Sequence, residues 1–579
     1  MEREEITLQL GDWMWNAALT GFVNVIGKNN INFHNNTINF HVKHLENFEE
    51  KYFEYFVNTY EKILPWYRIV SYKNKIEYHR ENDFKTLDFK ELKNINIFIK
   101  DTLKRYLTSN SFKAAFKLVG DMEYIQALEK KLQKVKEPKD DKSFEQEKSK
   151  YINEVKFQYI IIDDVIKYCS SESGKRYIAG KNVIYGILKN GWNGVSFLNK
   201  QTKILDIYED YNTYFVKQVF EYLQFDQSKY KNECFTCGMP MKDFSNDLSF
   251  LNQFGFDVAR KTSHVWNFFN DIAVCPICKL IYSCLPAGFT YVAGRGLYIN
   301  ANVNMEYNIK VNNQVKADIL KGGENNYNIR KLYSVLVNAL IKQTLEKEIF
   351  ELADVQIVRY ENESYKFNIV SESTLCVIKD CIIEIVGKEE KQGLLRAYYK
   401  EGKETISIYE QVLNHLFNNQ NLFLLIHKLL YYKISTPNNC FFHTGHINNI
   451  LNINTELIKR LGGLKEMSDN NYLWNASKAG KGLRAAYKDS SKISGISYRL
   501  LNALKTGNKN MFMDLLLNCY MYVGKEVPSI IPDILKEEDE LFYTIGYAFV
   551  ANFIDGDKES KNDNNKISNK QDELMNGEV

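Results

Sequence analysis

Long hydrophobic runs are missing from this chain of 579 residues. Stretches such as LFLLI at 422–426 fall far short of the roughly 20 apolar residues that span a bilayer, so a membrane-embedded class is excluded. The opening residues, MEREE, are acidic, and no apolar run follows a basic start, so no signal peptide is expected and the chain reads as cytoplasmic. Net charge is nearly absent too: 75 Lys and Arg against 72 Asp and Glu leave +3. Global charge therefore predicts no nucleic-acid partner, and any basic surface has to be local. Proline is scarce, at eight residues, while Asn, Lys, Ile and Tyr abound, as AT-rich codons dictate. Many surface Lys and Asn are therefore owed to composition alone. Three enzyme signatures are absent: G-x-x-x-x-G-K-[ST], H-E-x-x-H and G-x-S-x-G.

What is present is an ordinary globular balance, 45% apolar and 25% charged, over a length that implies several domains. Ile31 and Phe33, then Ile38, Phe40 and Val42, alternate with polar residues around Asn35-Asn36, which predicts a β-hairpin. Phe48, Tyr52, Phe56 and Tyr60 recur every four residues and predict a helix over about 46–64, its aromatic stripe read as core rather than as a base-stacking platform. The charged segment 136–150 predicts a surface loop or link. A long helix is expected at 327–353, a hairpin from VQIVRY (355–360) and YKFNIV (365–370), and mostly helix from 405 to 554. The resulting expectation is a multidomain α+β protein with a mixed N-terminal and central region and an all-helical C-terminal bundle. Its parts are an N-terminal α+β domain (1–230), a zinc-binding subdomain (231–310), a central α+β region (311–455), the bundle (456–555) and a disordered tail (556–579). Neither HVKH (41–44) nor HTGH (443–446) has carboxylates at metal-ligand spacing, and adjacent Asp163 and Asp164 diverge on helix or strand, so none of these is read as a metal site.

Six of the ten cysteines are scattered; the other four form CFTC at 234–237 and CPIC at 275–278. Each C-x2-C pair lets two thiolates of one turn face one ion, and two such turns complete a tetrahedron. Cys234, Cys237, Cys275 and Cys278 are therefore predicted to hold one structural Zn2+, pinning a small subdomain across 37 intervening residues. A redox role needs only one pair, and a disulfide conflicts with a reducing compartment. An iron–sulfur cluster is the weaker alternative. Four thiolates close the coordination shell, so no chemistry is expected there.

Between Lys478 and Lys509 stand eight basic residues and one acid, Asp489. On a single helix Lys478, Lys481, Arg484, Lys488, Lys492 and Arg499 fall within an arc of about 120°. Such a stripe suits a phosphate backbone but reads no bases, and Ser494-Gly495 is a point where the helix could break.

Three segments together resemble a known family: GDWMWNAALTGFVNVI near the N-terminus, CPICKLIYSCLPAGFTYVAGRGLYINANVN after the first knuckle, and SKISGISYRLLNALKTGNKNMFMDLLLNCYM near the C-terminus. They are similar to the large subunit of the type I-B CRISPR Cascade surveillance complex, in the subfamily with paired C-x2-C motifs. The resemblance implies a non-catalytic subunit of a crRNA-bound assembly, with backbone and foot subunits as partners. It implies recognition of the protospacer-adjacent motif in duplex DNA, help with unwinding and R-loop stabilisation, and recruitment of a helicase-nuclease in trans. It gives the basic stripe a nucleic-acid-binding role and places Asn16 in the motif-reading region, as a base reader or as a satisfier of buried backbone. It also suggests a separate small subunit from the same gene, starting at Met467 behind Gly462-Gly463. The alternative is a stand-alone zinc-stabilised nucleic-acid-processing enzyme.

Overall fold

A computed structural model describes residues 4–253, 273–292, 294–300, 304–321, 355–385, 393–464, 471–487, 491–536 and 538–555. The expected helix at 327–353, the tail after 555, Met467 and Lys488 all lie outside these described residues. The protein is α+β and multidomain, mostly helical with small sheets. It divides into two compact units, Met1–Tyr327 with Gln356–Phe367, and Asn328–Val355 with Asn368–Val579. The segment 231–310 falls within the first of these units, and 311–455 divides between the two.

In the first unit, strands Glu5–Gln9, Thr37–His41 and Asn32–His34 form an antiparallel sheet with Thr37–His41 in the centre. Its register pairs Ile6 with Phe40 and Leu8 with Ile38, four residues that all point into the core. The predicted hairpin is present, with Asn35 at φ +48° in its two-residue turn. Helix Phe48–Tyr60 buries Phe48, Tyr52, Phe56 and Tyr60, so the aromatic stripe is core. Segment 136–150 departs from expectation: it contains helix Asp141–Gln146, capped by Asp140, because Phe144 buries itself against Tyr151. A second sheet runs Thr290–Val292, Arg295–Asn300, Val355–Glu361, Ser364–Val370. The last two form the predicted hairpin, and positive φ at both Asn362 and Glu363 marks the turn type whose twist matches paired strands.

Helix Trp13–Ile26 is the axis of this unit and is buried on nearly every side. Asp12 caps it, accepting from the amides of Met14 and Trp15, and the Trp15 indole donates to the Gln9 carbonyl, tying the helix to the first strand. Against it lie helix Pro276–Ser283 and the short helix Leu285–Gly288. The approach is backbone to backbone. A Cβ on Gly21 would lie 1.9 Å from the Cys284 carbonyl oxygen, and one on Gly288 would lie 2.0 Å from that of Ala17. Only glycine fits at either position.

In the second unit, helix Asp539–Asp555 is central, burying Leu541, Phe542, Ile545, Phe549, Val550 and Phe553. Helices Thr444–Arg460, Asn471–Ala486 and Ser491–Lys505 pack on it. Asn471–Ala486 meets it through Ala476, Ala479, Gly480 and Leu483, with Gly480 so close that a Cβ would stand 2.3 Å from the Phe549 carbonyl oxygen. Strands Tyr398–Glu401, Glu404–Ser407 and Cys440–Phe441 form the unit's small sheet.

Gly21→Ala and Gly288→Ala are each expected to cost about 3 kcal/mol or more, read as a lower urea midpoint. Gly495→Ala, at a mid-helix position with open space around it, is expected to add about 0.5–1 kcal/mol. An unchanged midpoint for both core variants would refute the close helix contact.

Candidate metal centre and nucleic-acid interface

The first knuckle is built on a two-residue antiparallel ribbon, Asn232–Glu233 with Pro240–Met241. Its turn closes with the Cys234 amide donating to the Met239 carbonyl at 2.8 Å and the Gly238 amide donating to the Cys234 carbonyl at 2.9 Å. Gly238 sits at φ +70°, the left-handed region that such a turn requires and glycine tolerates. The second knuckle is a helix start rather than a free turn: Cys275 is the N-cap of Pro276–Ser283 and Pro276 its first residue. The Phe235 amide donates to the Ala273 carbonyl at 3.0 Å and joins the two knuckles.

The four sulfurs converge, all within 4.8 Å of one another. Cys237 and Cys275 are 3.6 Å apart, too far for a disulfide and near the spacing of about 3.8 Å that tetrahedral Zn–S bonds of ~2.3 Å dictate. Amides already aim at sulfur: Cys275 donates to Cys234 Sγ at 3.2 Å, and Cys278 to Cys275 Sγ at 3.5 Å. Hydrogen bonds from Cys237, Cys275 and Cys278 hold the Cys234 thiol well below its ordinary range. Contact with Cys234 pushes Cys275 up, and burial pushes Cys278 up. Four adjacent sulfurs cannot all carry charge by themselves; one divalent cation at their centre removes that conflict. The cluster is thus suited to hold a metal ion.

The second knuckle feeds straight into the core. Ser283 is gripped by three aromatic side chains: its carbonyl accepts from Tyr52 Oη at 2.7 Å and Trp192 Nε1 at 3.0 Å, and its hydroxyl pairs with Tyr211 Oη at 2.6 Å. Trp15 packs on Tyr282 with ring centroids 5.0 Å apart. Two buried lysines that sequence reasoning missed hold the same segment. Lys279 donates to Asn246 Oδ1 and Gln218 Oε1 and lies over the Tyr214 ring, and burial lowers it to about 8. Lys316 donates to the Ala287 carbonyl and to Tyr55 Oη, and burial lowers it to about 7. In a Lys-rich sequence nothing marks these two apart from surface lysines.

Asn16 is an internal clamp. Both of its N–H groups are committed, to the Gly11 carbonyl and to Asn300 Oδ1, and its carbonyl oxygen accepts from the Gly11 amide. With 1% exposure it presents nothing to a base edge; what it orients is the exposed Gly11-Asp12 loop.

The basic stripe is divided between two helices. One ends at Ala486 and the next begins at Ser491, while Ser494 and Gly495 lie inside the latter. Lys478, Lys481 and Arg484 stand on the first helix, and Lys492 and Arg499 on the second. Lys478, Lys481, Lys492 and Arg499 are exposed and Arg484 is half-buried. Lys478, Arg484, Lys492 and Arg499 make no ion pair with a carboxylate among the described residues. Lys492 donates to Tyr522 Oη at 3.3 Å. The paired histidines are caps: His41 Nδ1 accepts from the Lys43 amide, and His443 and His446 form a capping box at helix Thr444–Arg460. Asp163 pairs with Arg80 and Asp164 with Lys167. No helix among the described residues is long and apolar enough to cross a membrane.

Residues 227–290 match the family model described as CRISPR-associated protein (Cas_CXXC_CXXC). No curated protein and no solved structure matches the chain. The matched segment holds all four converging cysteines and ends at Thr290, the first residue of the second sheet, and it supports a CRISPR-associated protein with paired C-x2-C motifs, acting in CRISPR defence.

Proposed function

We propose that this chain is the non-catalytic large subunit of a type I-B crRNA-guided surveillance complex, with Zn2+ as a structural ion at the four cysteines. The observation that carries the reading is the convergence of all four sulfurs within the segment that matches the CRISPR-associated family. Two further observations support it. The GDWMWNAALTGF segment packs its Gly21 directly on the CLPAG segment that follows the second knuckle, so two of the motifs behind the family resemblance form one core. On the C-terminal helices Lys478, Lys492 and Arg499 are exposed and make no ion pair with a carboxylate among the described residues.

In this role the chain joins crRNA-bound backbone and foot subunits and recognises the protospacer-adjacent motif in duplex DNA. It then aids unwinding and recruits a helicase-nuclease. Guide pairing reads the sequence, so protein contacts to the backbone are enough to hold an opened strand. The zinc supplies no reaction; its thiolates fix the start of helix Pro276–Ser283 against the core. A second product beginning at Met467 belongs to the same proposal, and Met467→Leu is expected to remove a shorter band on a gel.

Reconstitution with Co2+ is expected to give the intense visible bands of a tetrahedral thiolate site, one ion per chain. Cys234→Ser is expected to abolish them and to lower the thermal midpoint. An intact chain that binds neither Co2+ nor Zn2+ would refute the site.

Charge reversal of Lys478, Lys481 and Arg484 together is expected to weaken target-DNA binding by the assembled complex by about 100-fold at physiological salt. The slope of log K against log[salt] should become shallower by roughly 2–3. Unchanged binding would contradict the nucleic-acid role. Metal-dependent cleavage of nucleic acid by the purified chain would favour the processing enzyme instead.

A further inference from the structure

The small-residue face that seats helix Asn471–Ala486 on its neighbour leaves the opposite face outward, and Trp474 stands there with 61% of its surface exposed. A single exposed aromatic is ordinary on a protein surface; what distinguishes Trp474 is the cations and the groove beside it. Lys478 and Lys481 follow at one and two helical turns, on the same face. Lys478 Nζ lies 4.9 Å from the Trp474 ring centroid. Beside them opens a groove of about 530 Å³ whose far wall is supplied by Asn448 and Asn452 of helix Thr444–Arg460 and by Asn552 of helix Asp539–Asp555. Its described lining residues include no carboxylate. Asn448 and Asn552 pair through their amides at 3.1 Å and form a polar floor, while the side chain of Asn452 is exposed.

A flat aromatic ring, two cations one turn apart and neutral amides are complementary to one chemical class, a polynucleotide with an unstacked base. The base stacks on the indole, the flanking phosphates meet the lysines, and the exposed Asn452 amide offers a donor and an acceptor to a base edge. A duplex keeps its bases stacked inside and has none to offer the ring. We propose that this groove is a base-stacking subsite for single-stranded nucleic acid, with Trp474 as the platform and Lys478 and Lys481 as the phosphate contacts. The proposal deepens the reading above, that the C-terminal helices hold nucleic acid, and rests on it.

The test uses the full-length protein titrated with oligothymidylate, oligouridylate and a duplex DNA hairpin, each of about 12 nucleotides. Tryptophan fluorescence and fluorescence anisotropy are followed together. The wild type is expected to bind the single strands more tightly than the hairpin, with quenching of Trp474. Trp474→Ala is expected to bind about tenfold more weakly and to lose the quench. Trp474→Phe keeps a ring, so most of the affinity should stay while the quench disappears. Relative affinity for the thymidylate and uridylate strands decides between DNA and RNA as the source of the strand. Because Trp474 is exposed, the variants should fold, and far-UV circular dichroism checks this. Unchanged affinity in Trp474→Ala, combined with loss of affinity in Lys478→Glu/Lys481→Glu, would overturn the stacking subsite and leave the indole to a protein contact, with the basic surface intact. Unchanged affinity in all of these variants would overturn the nucleic-acid reading of the module as well.

Discussion

The first unit depends on one contact that admits no side chain, the backbone of helix Trp13–Ile26 against the backbone at Cys284–Gly288. Two glycines, one on each partner, make it possible. The contact brings the chain's N-terminal segment onto a segment more than 250 residues later, and much else in the unit answers to it. Tyr52, Trp192 and Tyr211 converge on Ser283, and Lys316 crosses to the Ala287 carbonyl. The first sheet is tied in through the Trp15 indole. The four cysteines stand at the head of this arrangement, because Cys275 caps the helix that carries Ser283. Holding Cys275 therefore fixes where that helix begins. An ion bound by these four cysteines would set the position of a core element rather than pin a peripheral loop.

The second unit repeats the device on a smaller scale. Gly480 and two alanines let helix Asn471–Ala486 lie close on the central helix Asp539–Asp555, so apart from Leu483 the contact face is made of small residues and Trp474, Lys478 and Lys481 fall on the outer face. The same packing that stabilises the bundle thereby aligns Trp474, Lys478 and Lys481. The charged surface is a consequence of which residues the core can accept.

Much of the fold was legible because local patterns carried it. The alternation around Asn35-Asn36, the four-residue aromatic period of Phe48–Tyr60 and the C-x2-C pairs each specify a structure within a few residues. Other features depend on partners distant in sequence and left no local trace. Asn16 looks like any polar residue in a motif, and only its contacts with Gly11 and Asn300 show that it is an internal clamp. Lys279 and Lys316 resemble surface lysines until their burial is seen. The basic residues are divided between two helices because the chain leaves the helix at Tyr487, and charge spacing carries no signal of that break. Phe144, one apolar residue in a charged segment, was enough to anchor a helix there. The Trp474 groove needed three helices, and no one of them announces it.

Hydrogen exchange on the full chain with and without a strong chelator tests the central claim most directly, that the metal knuckle and the N-terminal helix belong to one cooperative core. Removal of the ion is expected to lower protection in 13–26 together with 276–288, and to leave 539–555 unchanged. Loss confined to the ribbon at 232–241, with the amides of 13–26 still protected, would contradict it.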